Sequence, residues 1–331
     1  MNMKTRNCNT YMKGHIPMEK QSISLIIDDP APRVHVYREH AKSPCTRDGR
    51  PLLDNIPNDF LSDFCDVCEQ YGLAGKFSIV PNPGCRGEIS HGVEGFPYSE
   101  ILEWLDIAKR RLGERFTFGP EMLTHHKAVN LKTGACYDCN EMEWAATQTR
   151  ESLAEYIAHA LQILRDVGIR AVGVTSPWAF GIELEDIYTA AISDAVYRVW
   201  GETRAWYFLR GMRGVPKAGP WRAYWTAERS VISIPATLND EFWETIENPD
   251  TSEAHVKERA DRILTEDGKH GSFADALQIG AMPVLISHWQ SLYSNGKRTG
   301  LRALAETARR IEKNYGREVE WQSFEEIMRR Y

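Results

Sequence analysis

From about residue 22 onward, short runs rich in β-branched and aromatic residues alternate with longer stretches whose apolar positions recur three and four apart. The runs 22–28 (SISLIID), 75–81, 115–120, 169–177, 203–209, 229–236 and 282–288 predict strands. Between them, 58–71, 98–112, 149–167, 183–199, 253–265 and 298–314 predict amphipathic helices. The stretch 149–167 is the clearest: Thr149 suits a cap, Glu151 follows, and Leu153, Tyr156, Ile157, Ala160, Leu161 and Leu164 form one face before Gly168. Strand then helix, repeated, implies an α/β fold of parallel strands with helices outside. Several strands are apolar almost throughout, as parallel strands covered on both faces should be. A barrel and an open doubly wound sheet both fit, although no G-x-G-x-x-G follows the first strand. The segment 210–228 is the most irregular and predicts an excursion over one face. Residues 1–21 read as a partly disordered N-terminal arm and 22–331 as one domain.

Composition adds mainly exclusions. The chain has 331 residues, 42% hydrophobic and 26% charged, with a formal net charge of −6. That balance argues against a nucleic-acid partner, which rewards a basic surface. Runs of the ~18 apolar residues that span a bilayer are missing, as is a secretory leader, so no membrane association and a cytoplasmic location are expected. Seven cysteines in such a chain do not read as a disulfide framework. Two pairs, Cys65/Cys68 and Cys136/Cys139, have CxxC spacing, and four thiolates could close a zinc site. Cys65 and Cys68 lie inside a helical pattern beside Phe60, Leu61, Phe64 and Val67, which favours packing over metal.

In parallel α/β folds functional groups collect where strands end. Here those ends carry Asp28-Asp29-Pro30, then Glu121 with Thr124-His125-His126, then Ser176-Pro177-Trp178, and finally Ser287-His288-Trp289-Gln290. Each alone has an ordinary reading: Asp before Pro starts turns, and a histidine after an apolar run is often a satisfied core residue. Only one of the adjacent His125 and His126 can face a shared site easily. Together, a carboxylate and neutral imidazoles can hold a divalent transition metal such as zinc, a second carboxylate can act as base, and a histidine opposite can protonate a leaving group.

On these residues the sequence resembles the carbohydrate (polysaccharide) deacetylase superfamily, whose members have a distorted (β/α)7-type barrel. LIIDDP (25–30) is similar to the first motif, KFSIVP (76–81) to the second strand, EMLTH (121–125) to the segment carrying the first metal histidine, and PVLISHW (283–289) to the last motif. TSPW (175–178) loosely resembles a strand-four motif that carries an arginine and a tryptophan, but no arginine stands here. The resemblance implies Asp28 as catalytic base, Asp29 and His125 as metal ligands, and His288 as acid. The family's second metal histidine falls on Val129, so the third ligand must come from elsewhere, and His40 is the expected substitute. Glu121, Trp178, Trp289, Gln290 and Asn82 are expected to bind a small carbohydrate, and Lys76 to make a structural hydrogen bond. The expected activity is metal-dependent removal of an acyl group from an amino sugar or short oligosaccharide. Two alternatives stay open: a metal-independent glycoside-cleaving barrel using Asp29 and Glu121, and a non-catalytic sugar-binding barrel with Trp178 and Trp289 as stacking faces. No oligomeric state is implied.

Overall fold

The computed structural model describes residues 20–331. Residues 1–19 of the expected N-terminal arm therefore lie outside the described residues, and Gln21 already belongs to the first strand. Parallel strands form in sequence at Gln21–Asp28, Gly75–Ile79, Phe116–Pro120, Gly173–Thr175, Arg204–Phe208, Ser230–Ser233 and Val284–His288. The seventh pairs with the first, the first with the second and the second with the third. The fourth, fifth and sixth pair in a second parallel group.

Two isolated parallel bridges, Phe118 to Ala171 and Glu121 to Thr175, join the groups between the third and fourth strands. Between the sixth and seventh, Thr237 and Leu238 donate backbone N–H groups to the Val284 carbonyl, at 3.0 and 3.1 Å. The strand order is thus that of a seven-stranded barrel, with a thin seam on either side of the second group. Helices Asn58–Tyr71 and Tyr98–Leu112 have the predicted bounds, and Arg150–Asp166, Glu185–Trp200, Glu253–Ile263 and Thr299–Tyr315 lie within one or two residues of theirs. Their buried faces cover the sheets. Cys65 and Cys68 are buried on the first of them, as packing requires, and burial pushes the Cys65 thiol up to about 12.

Four strand segments were not legible in the sequence. Trp221–Trp225, inside the segment expected to be irregular, runs antiparallel to the sixth strand. Lys127–Val129 and Cys136–Asn140 form a hairpin, and Val319–Trp321 pairs with the start of the first strand. Among the described residues no helix is long and apolar enough to cross a membrane.

Candidate active site at the carboxyl ends of the strands

A cavity of 410 Å³ opens at the carboxyl ends of the parallel strands. Asp28, Asp29, His40, Glu121, His125, Trp178, His288 and Gln290 all line it. A slightly larger cavity of 470 Å³ lies at the amino ends of the third and fourth strands. Its main charge, Arg170, is already paired with Glu202 and Glu325. The first cavity is the one that gathers the strand-end carboxylates and histidines.

The centre of the site is Asp29, Glu121 and His125, whose ligand atoms lie within 4.8 Å of one another. Asp29 and Glu121 are held by their other oxygens, whereas His125 Nδ1 is buried without a hydrogen-bond partner. Gln290 Nε2 donates to Asp29 Oδ2, and the Asp29 backbone N–H donates to Glu121 Oε2 at 2.5 Å. His125 Nε2 comes within 2.9 Å of Asp29 Oδ1, yet that oxygen is buried without a directed hydrogen bond. Glu121 Oε1 lies 3.5 Å from the same nitrogen. The backbone is bent to bring this about: Asp29, Met122, His125 and Trp178 take φ of 68°, 36°, 52° and 52°. Non-glycine residues in this region cost energy, and their concentration at one cavity points to function.

The charges follow from burial and proximity. Burial opposes ionisation of Asp29, but the His125 imidazole beside it holds the carboxyl well below the usual range. Burial also disfavours charged His125, yet Asp29 and Glu121 hold it well above the ordinary histidine value. Glu121 is pushed up to about 8 by burial and by the neighbouring Asp28 and Asp29 carboxylates. Two carboxylates and an imidazole, with one carboxylate oxygen unsatisfied, form a donor set for a divalent first-row cation.

His40, expected as the third ligand, lines the cavity with its Nε2 buried and unpartnered. His40 stacks on the His125 ring, with centroids 4.6 Å apart, and burial holds it neutral at about 3. It lies outside the convergent trio, which Glu121 completes instead. The reason is local: Glu121 continues the third strand by its bridge to Thr175, so its carboxylate stays at the strand end. Val129 is turned into the core on the hairpin.

Asp28 lies beneath the trio. Its Oδ1 receives Lys76 Nζ, which also donates to Ser78 Oγ at 2.5 Å and Thr175 Oγ1 at 2.7 Å. Lys76 is wholly buried with all three donors used, so its role is structural, as expected. Across the cavity, His288 Nδ1 meets Asp240 Oδ2 at 2.8 Å. Burial lowers this histidine, but the Asp240 hydrogen bond and the charges of Asp29, Asp240 and Asp28 outweigh it, leaving the ring at about 9.

Two expected sugar contacts are elsewhere. Trp289 is completely buried, packed on Phe60, Phe64 and Phe77 with centroids 4.6, 5.4 and 5.5 Å away. It begins a helix immediately after the strand-end His288, and the reversal turns it from the cavity into the core. Asn82 does not line the cavity; its Oδ1 accepts the Gly87 N–H at 3.0 Å and shapes its own turn. Gln290 lines the cavity but is committed to Asp29, and Trp178 keeps an exposed face over His125, 4.7 Å between centroids. Sequence reasoning missed Asp240, Trp243 and Arg210. Asp240 follows the predicted strand 229–236 by only four residues, a strand-end carboxylate that the rule used for the others would have found.

Several solved structures are similar to this chain over most of its length. A candidate polysaccharide deacetylase from Mycobacterium smegmatis aligns over 82% of this chain and 76% of its own, at 12% identity and a TM-score of 0.49. A mutant, with restored activity, of a CE4 family pseudoenzyme from Bacillus anthracis covers 94% and 68%, at 10% identity and 0.41. A GH57 branching enzyme from Thermococcus kodakaraensis covers 95% and 72%, at 9% identity and 0.45. No family model and no curated protein matches the sequence.

Proposed function

We propose that this cavity hydrolyses an acyl group from a small carbohydrate, such as an N-acetylated amino sugar, with a divalent ion held by Asp29, Glu121 and His125. The observation that carries the reading is the convergence of these three groups, with Asp29 and Glu121 steadied by their other oxygens, around the unsatisfied Asp29 Oδ1. A zinc-like ion there supplies a Lewis acid for the acyl carbonyl and makes water easier to deprotonate. Asp28 is the base: Oδ1 is anchored by Lys76, and Oδ2 accepts from no side chain among the described residues. It takes the proton of the attacking water. His288 is the acid: Asp240 occupies Nδ1, so Nε2 carries the proton given to the leaving amine or alcohol. Trp178 and Trp243 offer aromatic faces to a sugar ring. A volume of 410 Å³ suits a small ligand rather than an extended polymer.

The carboxylate-pair alternative is weaker. Asp29 Oδ1 and Glu121 Oε1 both lie against His125 Nε2, at 2.9 and 3.5 Å, which favours a shared cation over two carboxylates flanking a glycosidic carbon. The sugar-binding alternative loses one of its stacking faces with Trp289 in the core.

Elemental analysis of the purified chain, beside Asp29→Ala, Glu121→Ala, His125→Ala and His40→Ala, tests the proposal together with acetate release from N- and O-acetylated sugars. The expected result is one metal per chain, lost in the first three variants and kept in the fourth. Acetate release that survives complete chelation would overturn it.

A further inference from the structure

Glu141 is a completely buried carboxylate outside the cavity, at the start of the short helix Glu141–Ala145. Four donors converge on it. The backbone N–H groups of Leu123 and Thr124 donate to Oε1, each at 3.0 Å, and that of His125 donates to Oε2 at 2.9 Å. The Tyr156 hydroxyl completes the set, donating to Oε1 at 2.8 Å. Three consecutive N–H groups facing one acceptor is not strand or helix geometry; it is the concave nest that the chain makes around an anion. The strained positions Met122 and His125 bound this turn. The hairpin Lys127–Val129/Cys136–Asn140 returns the chain so that the Glu141 N–H also reaches the His126 carbonyl, at 3.2 Å. Burying a carboxylate is costly, and packing alone would be served by an apolar residue. What the carboxylate adds is a fixed path for the backbone that ends in His125.

We propose that Glu141 is the positioning residue that sets His125 Nε2 against Asp29 and Glu121, and so tunes the affinity of the site for a divalent cation; this rests on the metal-dependent reading above. Glu141 touches none of the ligand atoms. It acts through the turn, as residues behind a metal site do when they orient its ligands.

The test uses the full chain, its affinity for zinc measured by chelator competition and the visible absorption of the Co²⁺-loaded protein. Glu141→Gln keeps an acceptor for Leu123, Thr124 and Tyr156 but turns an amide donor toward the His125 N–H. We expect it to weaken zinc binding about tenfold or more and to shift the Co²⁺ spectrum while remaining folded. A folded Glu141→Gln with wild-type affinity and spectrum overturns the inference. If that variant does not fold, Tyr156→Phe removes the hydroxyl that donates to Glu141 and accepts the Val129 N–H at 3.2 Å. It should weaken zinc about threefold, and no change would overturn the inference equally. A wild-type chain that binds no zinc brings down the metal-dependent reading and this inference together, whereas an unaffected variant beside a zinc-binding wild type brings down this inference alone.

Discussion

At the scale of single residues, the site is governed by pairs whose partners decide each other's charge. His288 is the simplest. Its folded value of about 9 stands above the unfolded value of about 6.5, so the imidazolium favours the folded state. That contribution is complete below about pH 6.5 and is lost as the pH rises through about 9. With 27% of the side chain exposed, it amounts to on the order of 2 kcal/mol. Urea unfolding of chelator-treated protein should therefore show stability falling between pH 6.5 and 9, with a smaller fall in Asp240→Asn. The same pair predicts kinetics: kcat/KM should decline above about pH 9, where His288 loses its proton, and Asp240→Asn should move that limb to lower pH. At Asp29, Glu121 and His125 the proposed metal site makes a prediction about protons. Near pH 7, His125 is held charged and Glu121, at about 8, mostly protonated, yet both must present bare ligand atoms to a cation. Zinc uptake should release about two protons at pH 7, read as acid production in weakly buffered solution. Uptake without acid would contradict the assigned ligands.

At the scale of elements, the strand–turn unit decides which way a residue looks. His288 and Trp289 are neighbours, but the strand ends at one and a helix begins at the other, so one faces the cavity and the other the core. Truncation separates the two roles. Trp289→Ala should destabilise the protein by about 3–5 kcal/mol in chemical denaturation through the cavity it leaves among Phe60, Phe64 and Phe77. Its metal content should not change. Long periodic helices were readable to within a residue or two because a buried face imposes its spacing on the sequence. Strands that bury little were not: Cys136–Asn140 is mostly exposed, and Trp221–Trp225 is an edge strand with Trp225 at 65% exposure. Without a burial constraint the alternation that announces a strand is free to vanish.

At the scale of the whole molecule, Lys76 ties distant strands together. From the second strand its ammonium reaches Asp28 at the end of the first and Thr175 at the end of the fourth, across the thin bridge between the two parallel groups. Removing one partner of a buried ion pair leaves the other charge stranded in low dielectric. Lys76→Met should cost about 3–5 kcal/mol of unfolding free energy, and Lys76→Met with Asp28→Asn should cost less than Lys76→Met alone. If Lys76→Met were neutral, the network would not be holding the groups together.

The sequence by itself determined the α/β class, the order of strands and helices, and the strand ends at which chemistry would gather. Those follow from periodicity and from the chain's need to cover apolar strands on both faces. It also carried Asp28, Asp29, His125 and His288 as candidates, because each stands at or shortly after the end of a predicted strand. Only the tertiary structure decided that Glu121 rather than His40 completes the trio, that Asp240 backs His288, and that Glu141 anchors the turn before His125. Each of these is a meeting of segments distant in sequence: Asp29 with Glu121, Asp240 with His288, Glu141 with the Leu123–His125 turn. Local spacing records which face of an element is buried; it does not record which buried polar group on another element will satisfy it.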